Sequence, residues 1–357
     1  MERREFLAAA GAVGAGATAG CAGLFGTEEN TEESGGEPAL VEDRPDAVYY
    51  PTHREGMKMA GMGMAGDLSV GLMYSYAHRF WTMEAGGTNR VDIREEDDVH
   101  LMVTLWDADT ETVLPVDSGV GLRVERDGEI VSTKSPWTML SQNMGFHYGD
   151  NYALDGDGTY TVTVNPGSIT AGLLGGYEGK FEDPGTAEIE FEYAQATRDT
   201  IPFETFEDQQ GTEGALDLMP MDNMPVSTVP PRADLPGTVV GEGTSGDADF
   251  LATVIEEPAF ADAPAYFAAS PRTPYNDIPL PTMGLSATIE RDGEAVYDGS
   301  LDAALHPDLG YHYGAAVDGV QSGDAVTITV DTVPRMARHE GYETAFLQMP
   351  PVEFTAN

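Results

Sequence analysis

Apolar and polar residues alternate along short stretches of this chain with a period of two, the repeat of a strand that buries one face. In the N-terminal half these stretches are Val99 to Trp106, Gly121 to Glu125, Glu129 to Thr133, Tyr160 to Asn165 and Ala187 to Tyr193. In the C-terminal half they are Phe250 to Ile255, Leu285 to Glu290, Ala295 to Asp298, Ala325 to Val330 and Val352 to Thr355. No stretch sustains a helical period over three turns, and Gly and Pro recur at intervals of roughly ten residues, the spacing of a strand-rich sandwich. Asp127-Gly128 and Asp292-Gly293 each separate two such runs, and this dipeptide adopts the positive φ that a tight hairpin requires. The pattern predicts an all-β protein made of immunoglobulin-like β-sandwiches.

The two halves are copies of one another. Glu125-Arg126-Asp127-Gly128-Glu129 recurs as Glu290-Arg291-Asp292-Gly293-Glu294, an offset of 165 (290 − 125). His147-Tyr148-Gly149 recurs as His312-Tyr313-Gly314 and Gly176-Tyr177-Glu178 as Gly341-Tyr342-Glu343, at the same offset (312 − 147 and 341 − 176). Three motifs in one register identify a tandem repeat. The expected organisation is an N-terminal signal (1–21), an acidic tether (22–47), a first sandwich (48–195), a Pro- and Met-rich linker (196–235) and a second sandwich (236–357).

Charge changes the picture in one respect. The chain has 357 residues, with 61 Asp and Glu against 18 Lys and Arg and a formal net charge of −43. Such a surface repels phosphate backbones and anionic headgroups, which excludes nucleic acid as a partner. The acids are dispersed and only Lys58, Lys134 and Lys180 are lysines, a composition expected of a halophilic protein kept hydrated in concentrated salt. A local acidic run therefore says little about function.

The N-terminus carries Arg3-Arg4, a short run of small apolar residues and then Thr18-Ala19-Gly20-Cys21. This order resembles a twin-arginine export signal with a lipobox. It implies that Cys21, the single cysteine, becomes the lipidated first residue of a protein anchored on the outer face of the cell membrane. Residues 22–47 have almost no large apolar side chains and read as a flexible tether.

Seven His and 16 Met are the unusual chemistry of the inventory. Met57, Met59, Met62 and Met64 fall within eight residues, and Met219, Met221 and Met224 repeat the theme. Thioethers and imidazoles suit copper(I), although Met also serves as adaptable packing over a sheet. His100 and Met102 are two apart on one strand and share a face. His78 lies upstream, and Met139, Met144 and His147 lie downstream. No Gly-x-Ser-x-Gly elbow, phosphate loop, zinc-type Cys pair or Ser-His-Asp order is present, so binding is expected rather than catalysis.

Asp98-Val99-His100-Leu101, followed by a Met-bearing segment and Gly145-Phe146-His147-Tyr148-Gly149, resembles the periplasmic iron-uptake protein family. Its members are small dimeric immunoglobulin-like sandwiches that bind copper and iron and partner a high-affinity iron permease. The resemblance covers much of residues 66–193 and, more faintly, 236–355. It implies copper ligands at His100, at Met139 or alternatively Met144, and at His147, with a further His delivered across the dimer from an Arg-His near the C-terminal strand. The first copy has Gly172-Leu-Leu-Gly175 in that region, whereas the second has Arg338-His339. The second copy keeps His312 and adds His306, but Phe267 or a neighbour replaces the strand His and Ala304 stands opposite Met139. The copies are thus complementary, as in a homodimer fused into one chain, and His339 is expected to reach the site of the first copy. Met102 stands where the family has a carboxylate, which favours copper(I) over iron; Glu84 is a candidate to supply that carboxylate.

Two functions are therefore weighed. One is a lipid-anchored, extracytoplasmic copper- and iron-binding protein that serves uptake through a membrane permease, with the Met-rich segments as a capture arm. The other is a non-enzymatic cell-surface structural protein whose sandwiches are scaffolds.

Overall fold

A strand that alternates Val, Leu and Ile with smaller or polar residues has one side to bury, and two such sheets satisfy each other face to face. The computed structural model describes residues 37–84, 87–115, 117–219, 221 and 223–357. Arg3, Arg4, Cys21 and most of the tether lie outside these described residues. Pro38–Asn357 forms one compact unit.

The N-terminal copy contributes β1 (His53–Glu55), β2 (Lys58–Ala65), β3 (Leu68–Ser75), β4 (Phe80–Glu84), β5 (Gly87–Val91), β6 (Val99–Asp107), β7 (Gly121–Arg126), β8 (Glu129–Lys134), β9 (Trp137–Ser141), β10 (Gly145–Tyr152), β11 (Gly158–Asn165), β12 (Gly172–Leu173) and β13 (Ala187–Tyr193). After a short helix, Gln195–Arg198, comes β14 (Phe203–Thr205). The C-terminal copy adds β15 (Thr238–Ser245), β16 (Ala248–Glu256), β17 (Ala265–Arg272), β18 (Gly284–Arg291), β19 (Glu294–His306), β20 (Gly310–Val317), β21 (Ala325–Thr332), β22 (Ala337–Arg338) and β23 (Val352–Thr355).

In the first copy a four-stranded sheet, ordered β13-β11-β7-β8, packs on an eight-stranded sheet ordered β2-β3-β6-β10-β9-β22-β4-β5. The second copy lays eight of its strands in the order β15-β16-β17-β20-β19-β18-β21-β23, with the long β19 pairing on both sides and β12 of the first copy added to it as the ninth strand of the sheet. Val99, Leu101, Val103 and Leu105 of β6 face Val162 and Val164 of β11 and Ile189 of β13 within one buried cluster. That cluster continues into the second copy through Phe267, Leu285 and Ile328. The all-β expectation is met.

The repeated motifs agree in backbone detail. Asp127 and Gly128 have φ of 53° and 80°, and Asp292 and Gly293 have φ of 53° and 81°. Both pairs therefore form hairpin turns of the same mirror-image kind, as the dipeptide predicts. The strand after each first turn residue also slips register at equivalent places, between Val124 and Glu125 and between Ile289 and Glu290.

The copies also exchange a strand. β22 of the second copy lies parallel to β9 of the first, with Ala337 opposite Met139 and Arg338 opposite Leu140. Reciprocally, β12 of the first copy lies parallel to β19 of the second, with Gly172 opposite Ala304 and Leu173 opposite Leu305. Each pair maps onto the other at the offset of 165 (304 − 139 and 337 − 172). The two contacts are thus reciprocal, each joining the same pair of repeated segments. Arg338 fixes the exchanged strand from within: its fully buried guanidinium donates to the carbonyls of Ala345, Pro334 and Tyr342.

Two segments differ from expectation. The residues from Pro38 to Ala47 are held rather than free, because Arg79 donates to the Pro38 carbonyl at 2.7 Å and Arg44 pairs with Glu343 at 3.0 Å. The 196–235 stretch is laid against the first copy: β14 pairs with β1, and the Leu216 and Met219 amides donate to Gln142 and Asn143. Among the described residues no helix is long and apolar enough to cross a membrane.

Candidate metal centre

Because directly opposed residues on neighbouring strands share a face, the register assigns the chemistry. Met59 stands opposite Met73, Met73 opposite Met102, and Met102 opposite Gly149. One level along, Ser75 stands opposite His100 and His100 opposite Asn151. On the far side of Gly149, His147 stands opposite Met139. The outer face of one sheet thus carries a row of thioethers that ends in histidines.

His100 and His147 are fully buried. From the exchanged strand, His339 enters the same place, its amide donating to the Leu140 carbonyl at 3.0 Å. The His339 ring centroid lies 5.1 Å from His147, 5.7 Å from His100 and 4.7 Å from His78, and His78 stacks on His100 at 4.0 Å. Ligand nitrogens of His78, His100 and His339 lie within 4.8 Å of one another. Three residues named from the sequence in different copies therefore converge.

Hydrogen bonds settle which nitrogen each ring offers. His147 Nδ1 donates to the Gly145 carbonyl at 3.2 Å, an acceptor that fixes the tautomer and leaves a lone pair on Nε2. His100 Nδ1 donates to Asn151 Oδ1 at 2.8 Å, and the Asn151 amide group is oriented by donating Nδ2 to the His78 carbonyl at 2.9 Å. Nε2 of His100, His147 and His339 are buried with no hydrogen-bond partner among the described residues. Burial drives His100 and His339 well below the ordinary imidazole range, and it lowers His147 to about 4. All three are neutral at ordinary pH, the form that binds a metal.

Space for an ion is provided by Gly149. A Cβ there would lie 2.4 Å from His100 Nε2 and 3.0 Å from the Met139 sulfur. The buried, unpartnered nitrogens, a thioether and this cradle together fit a soft cation.

The other candidates fall in different places. Met102 and Met144 are buried in a cluster with Met73, against which Met57, Met59, Met221 and Met224 pack. Met139 packs instead with Phe80 and Ala337 beside the histidines. The Met57 to Met64 segment, which showed no core periodicity, is the edge strand β2. Its Gly61 and Gly63 rest on Ile189, while Met62 and Met64 are exposed at 49% and 53%. Glu84 is exposed at the end of β4, opposite Gly87, and does not join the cluster.

Sequence reasoning missed Asn151, Glu55 and His53. Glu55, on β1, is buried and its Oε2 lies 3.1 Å from His78 Nδ1. Burial alone would raise its carboxyl, but His53 and His78 outweigh this and hold it at about 2. No periodicity flags a three-residue strand, so only its neighbours reveal it.

The second copy has the same scaffold with its centre filled. Gly314 stands opposite Ala268 as Gly149 stands opposite Met102, so Tyr266 occupies the place of His100. Ala304 stands opposite His312, where the first copy has Met139. Leu174 occupies the place of His339, its amide donating to Leu305 at 2.9 Å. His312 Nδ1 donates to Gly310 at 3.1 Å, and its Nε2 accepts from the Tyr266 hydroxyl at 3.1 Å. Both ring nitrogens of His312 are thereby occupied. His312→Ala is expected to leave metal stoichiometry unchanged while lowering stability by about 1–3 kcal/mol, the cost of a buried hydroxyl without its partner. Urea unfolding beside a metal titration checks this.

Comparison with known proteins gives few relatives. The family described as a domain of unknown function (DUF7350) matches residues 233–355, the end of the linker and nearly all of the second copy. No curated protein matches the chain. Among solved structures, a copper-bound variant of FetP from uropathogenic Escherichia coli is 18% identical with a TM-score of 0.28, covering 38% of this chain and 97% of that one. As-isolated FetP from the same organism is 16% identical with a TM-score of 0.24, covering 40% of this chain and 96% of that one.

Proposed function

We propose that this chain is an extracytoplasmic metal-binding protein that holds a soft cation, copper(I) above all, at His100, His147, His339 and Met139. The observation that carries this reading is that His339 brings its ring within 5.7 Å of His100 and 5.1 Å of His147, the Nε2 atoms of all three being buried without partners, with the Met139 sulfur and the Gly149 cradle beside His100. Leaving such atoms buried and unmatched is costly, and a metal ion removes that cost. The face of methionines leading from exposed Met62 and Met64 through Met59, Met73 and Met102 is the route by which a soft ion is captured and passed inward. Binding rather than turnover is the role.

In the cell the protein is exported through its twin-arginine signal and anchored by lipid at Cys21. It presents copper, and iron with it, to a membrane permease for uptake. Met102, where a carboxylate would suit iron, biases this centre toward copper(I).

The test is a titration of the chain beginning at Cys21 with copper(I) against a competing chelator, in high salt, for the native sequence and for His100→Ala and His147→Ala. One tightly bound copper per chain, weakened at least about 100-fold by either change, is expected, since loss even of an outer-shell partner costs 10–100-fold. No stoichiometric copper in the native chain would overturn the reading in favour of a structural surface protein.

A further inference from the structure

Behind the histidine cluster lies a group of harder donors that the soft centre does not use. Glu55, His53 and His78 meet where β1 passes the loop after β3. Glu55 Oε2 lies 3.1 Å from His78 Nδ1 and accepts from the Ser75 hydroxyl at 3.0 Å, and its Oε1 lies 3.7 Å from His53 Nε2. The three side chains are each about nine-tenths buried. His53 is clamped from outside by Phe203, stacked on its ring at 4.9 Å and 16°.

His53 is held at its other nitrogen by Thr52. Thr52 Oγ1 gives its proton to Glu340 Oε2 at 3.0 Å, and that same oxygen lies 2.9 Å from His53 Nδ1. Having spent its proton, the hydroxyl accepts, so His53 Nδ1 carries the hydrogen. His53 Nε2 is directed at the buried Glu55 Oε1, 3.7 Å away. The gap is too long for a hydrogen bond, and a cation seated between the two atoms would be bound by donors already held in position by Thr52, Ser75 and Phe203.

We infer that His53, His78 and Glu55 form a second, hard site for a divalent first-row cation of the ferrous or manganous class, adjoining the soft centre. Two imidazoles and one carboxylate are the donor set that selects such ions and leaves positions open. Binding displaces the Nδ1 proton of His78 to solvent. The two sites touch through the ring of His78, stacked on His100 at 4.0 Å. One protein thereby holds a soft monovalent and a hard divalent ion side by side, and the carboxylate absent at Met102 is supplied from β1. This site extends the proposed function but uses none of His100, His147, His339 or Met139.

Silver(I) fills the soft centre without a magnetic signal, so manganese(II) added afterwards reports on the hard site alone. The chain is loaded with silver(I) and titrated with manganese(II) in about 1 M potassium nitrate, free of chloride that would precipitate silver, where screening over roughly 3 Å suppresses binding by surface acids. Electron paramagnetic resonance is expected to show one protein-bound manganese(II) per chain. Glu55→Gln and, separately, His53→Gln are expected to weaken it at least about tenfold, with silver(I) uptake unchanged. His53 sits at the periphery, so its substitution keeps the test open should Glu55→Gln perturb folding. A native chain that takes up silver(I) but leaves manganese(II) as the free aquo ion overturns the hard site alone, as does native-like manganese(II) binding by both variants. Failure to take up silver(I) as well overturns the soft centre too.

Discussion

A chain carrying His339→Ala is expected to bind copper(I) at least about 100-fold more weakly than the native chain, a loss of ~2.7 kcal/mol. The residue lies 239 positions from His100 in sequence (339 − 100) and belongs to the other copy. Its effect depends wholly on the strand exchange that lays Ala337 against Met139 and Arg338 against Leu140. That backbone places His339, its amide bonded to Leu140 and its carbonyl accepting from the Tyr342 amide. The substitution leaves Arg338 and its three carbonyl partners untouched, so the fold persists. A competition titration paired with a urea midpoint separates ligand loss from unfolding. Copper binding unchanged by His339→Ala would confine the centre to the first copy.

Gly149→Ala is expected to abolish tight copper binding as completely, by adding one methyl group. The Cβ would stand 2.4 Å from His100 Nε2, inside contact distance of the atom that donates to the ion. His100 cannot simply turn away, since its Nδ1 is held by Asn151 at 2.8 Å and its other face is stacked on His78. The overpacking costs about 1–3 kcal/mol of stability, a small effect beside the lost affinity. Gly149 takes no left-handed backbone, so alanine adds no strain of that kind. The measurement is copper stoichiometry with the unfolding midpoint, and retained stoichiometry would show that the cradle is not where the ion sits.

Much of this was legible beforehand, for identifiable reasons. Alternation along Val99 to Trp106 gave both the strand and the shared face of His100 and Met102, because a two-residue period needs only local sequence. The Asp-Gly dipeptides gave both hairpins, because only residues tolerant of positive φ close such turns. The offset of 165 and the missing partner in each copy pointed to His339. Less local features were hidden. β1, β12 and β22 are two or three residues long, too short for any period, and each exists because a neighbouring strand offers it hydrogen bonds. The Met57 to Met64 segment reads as glycine-rich, yet it forms an edge strand because Gly61 and Gly63 let it lie close on Ile189.

The chain by itself therefore determined the strand content, the repeated motifs, the acid excess and the inventory of imidazoles and thioethers, all properties carried by composition, spacing and short-range backbone preference. Only the tertiary structure decided that the copies exchange strands, that Met139 rather than Met144 stands beside the histidines, that Tyr266 fills the second centre, and that Glu55 and His53 stand behind His78. These are matters of which surfaces meet after long stretches of chain have been folded back, and packing, not sequence distance, selects those contacts.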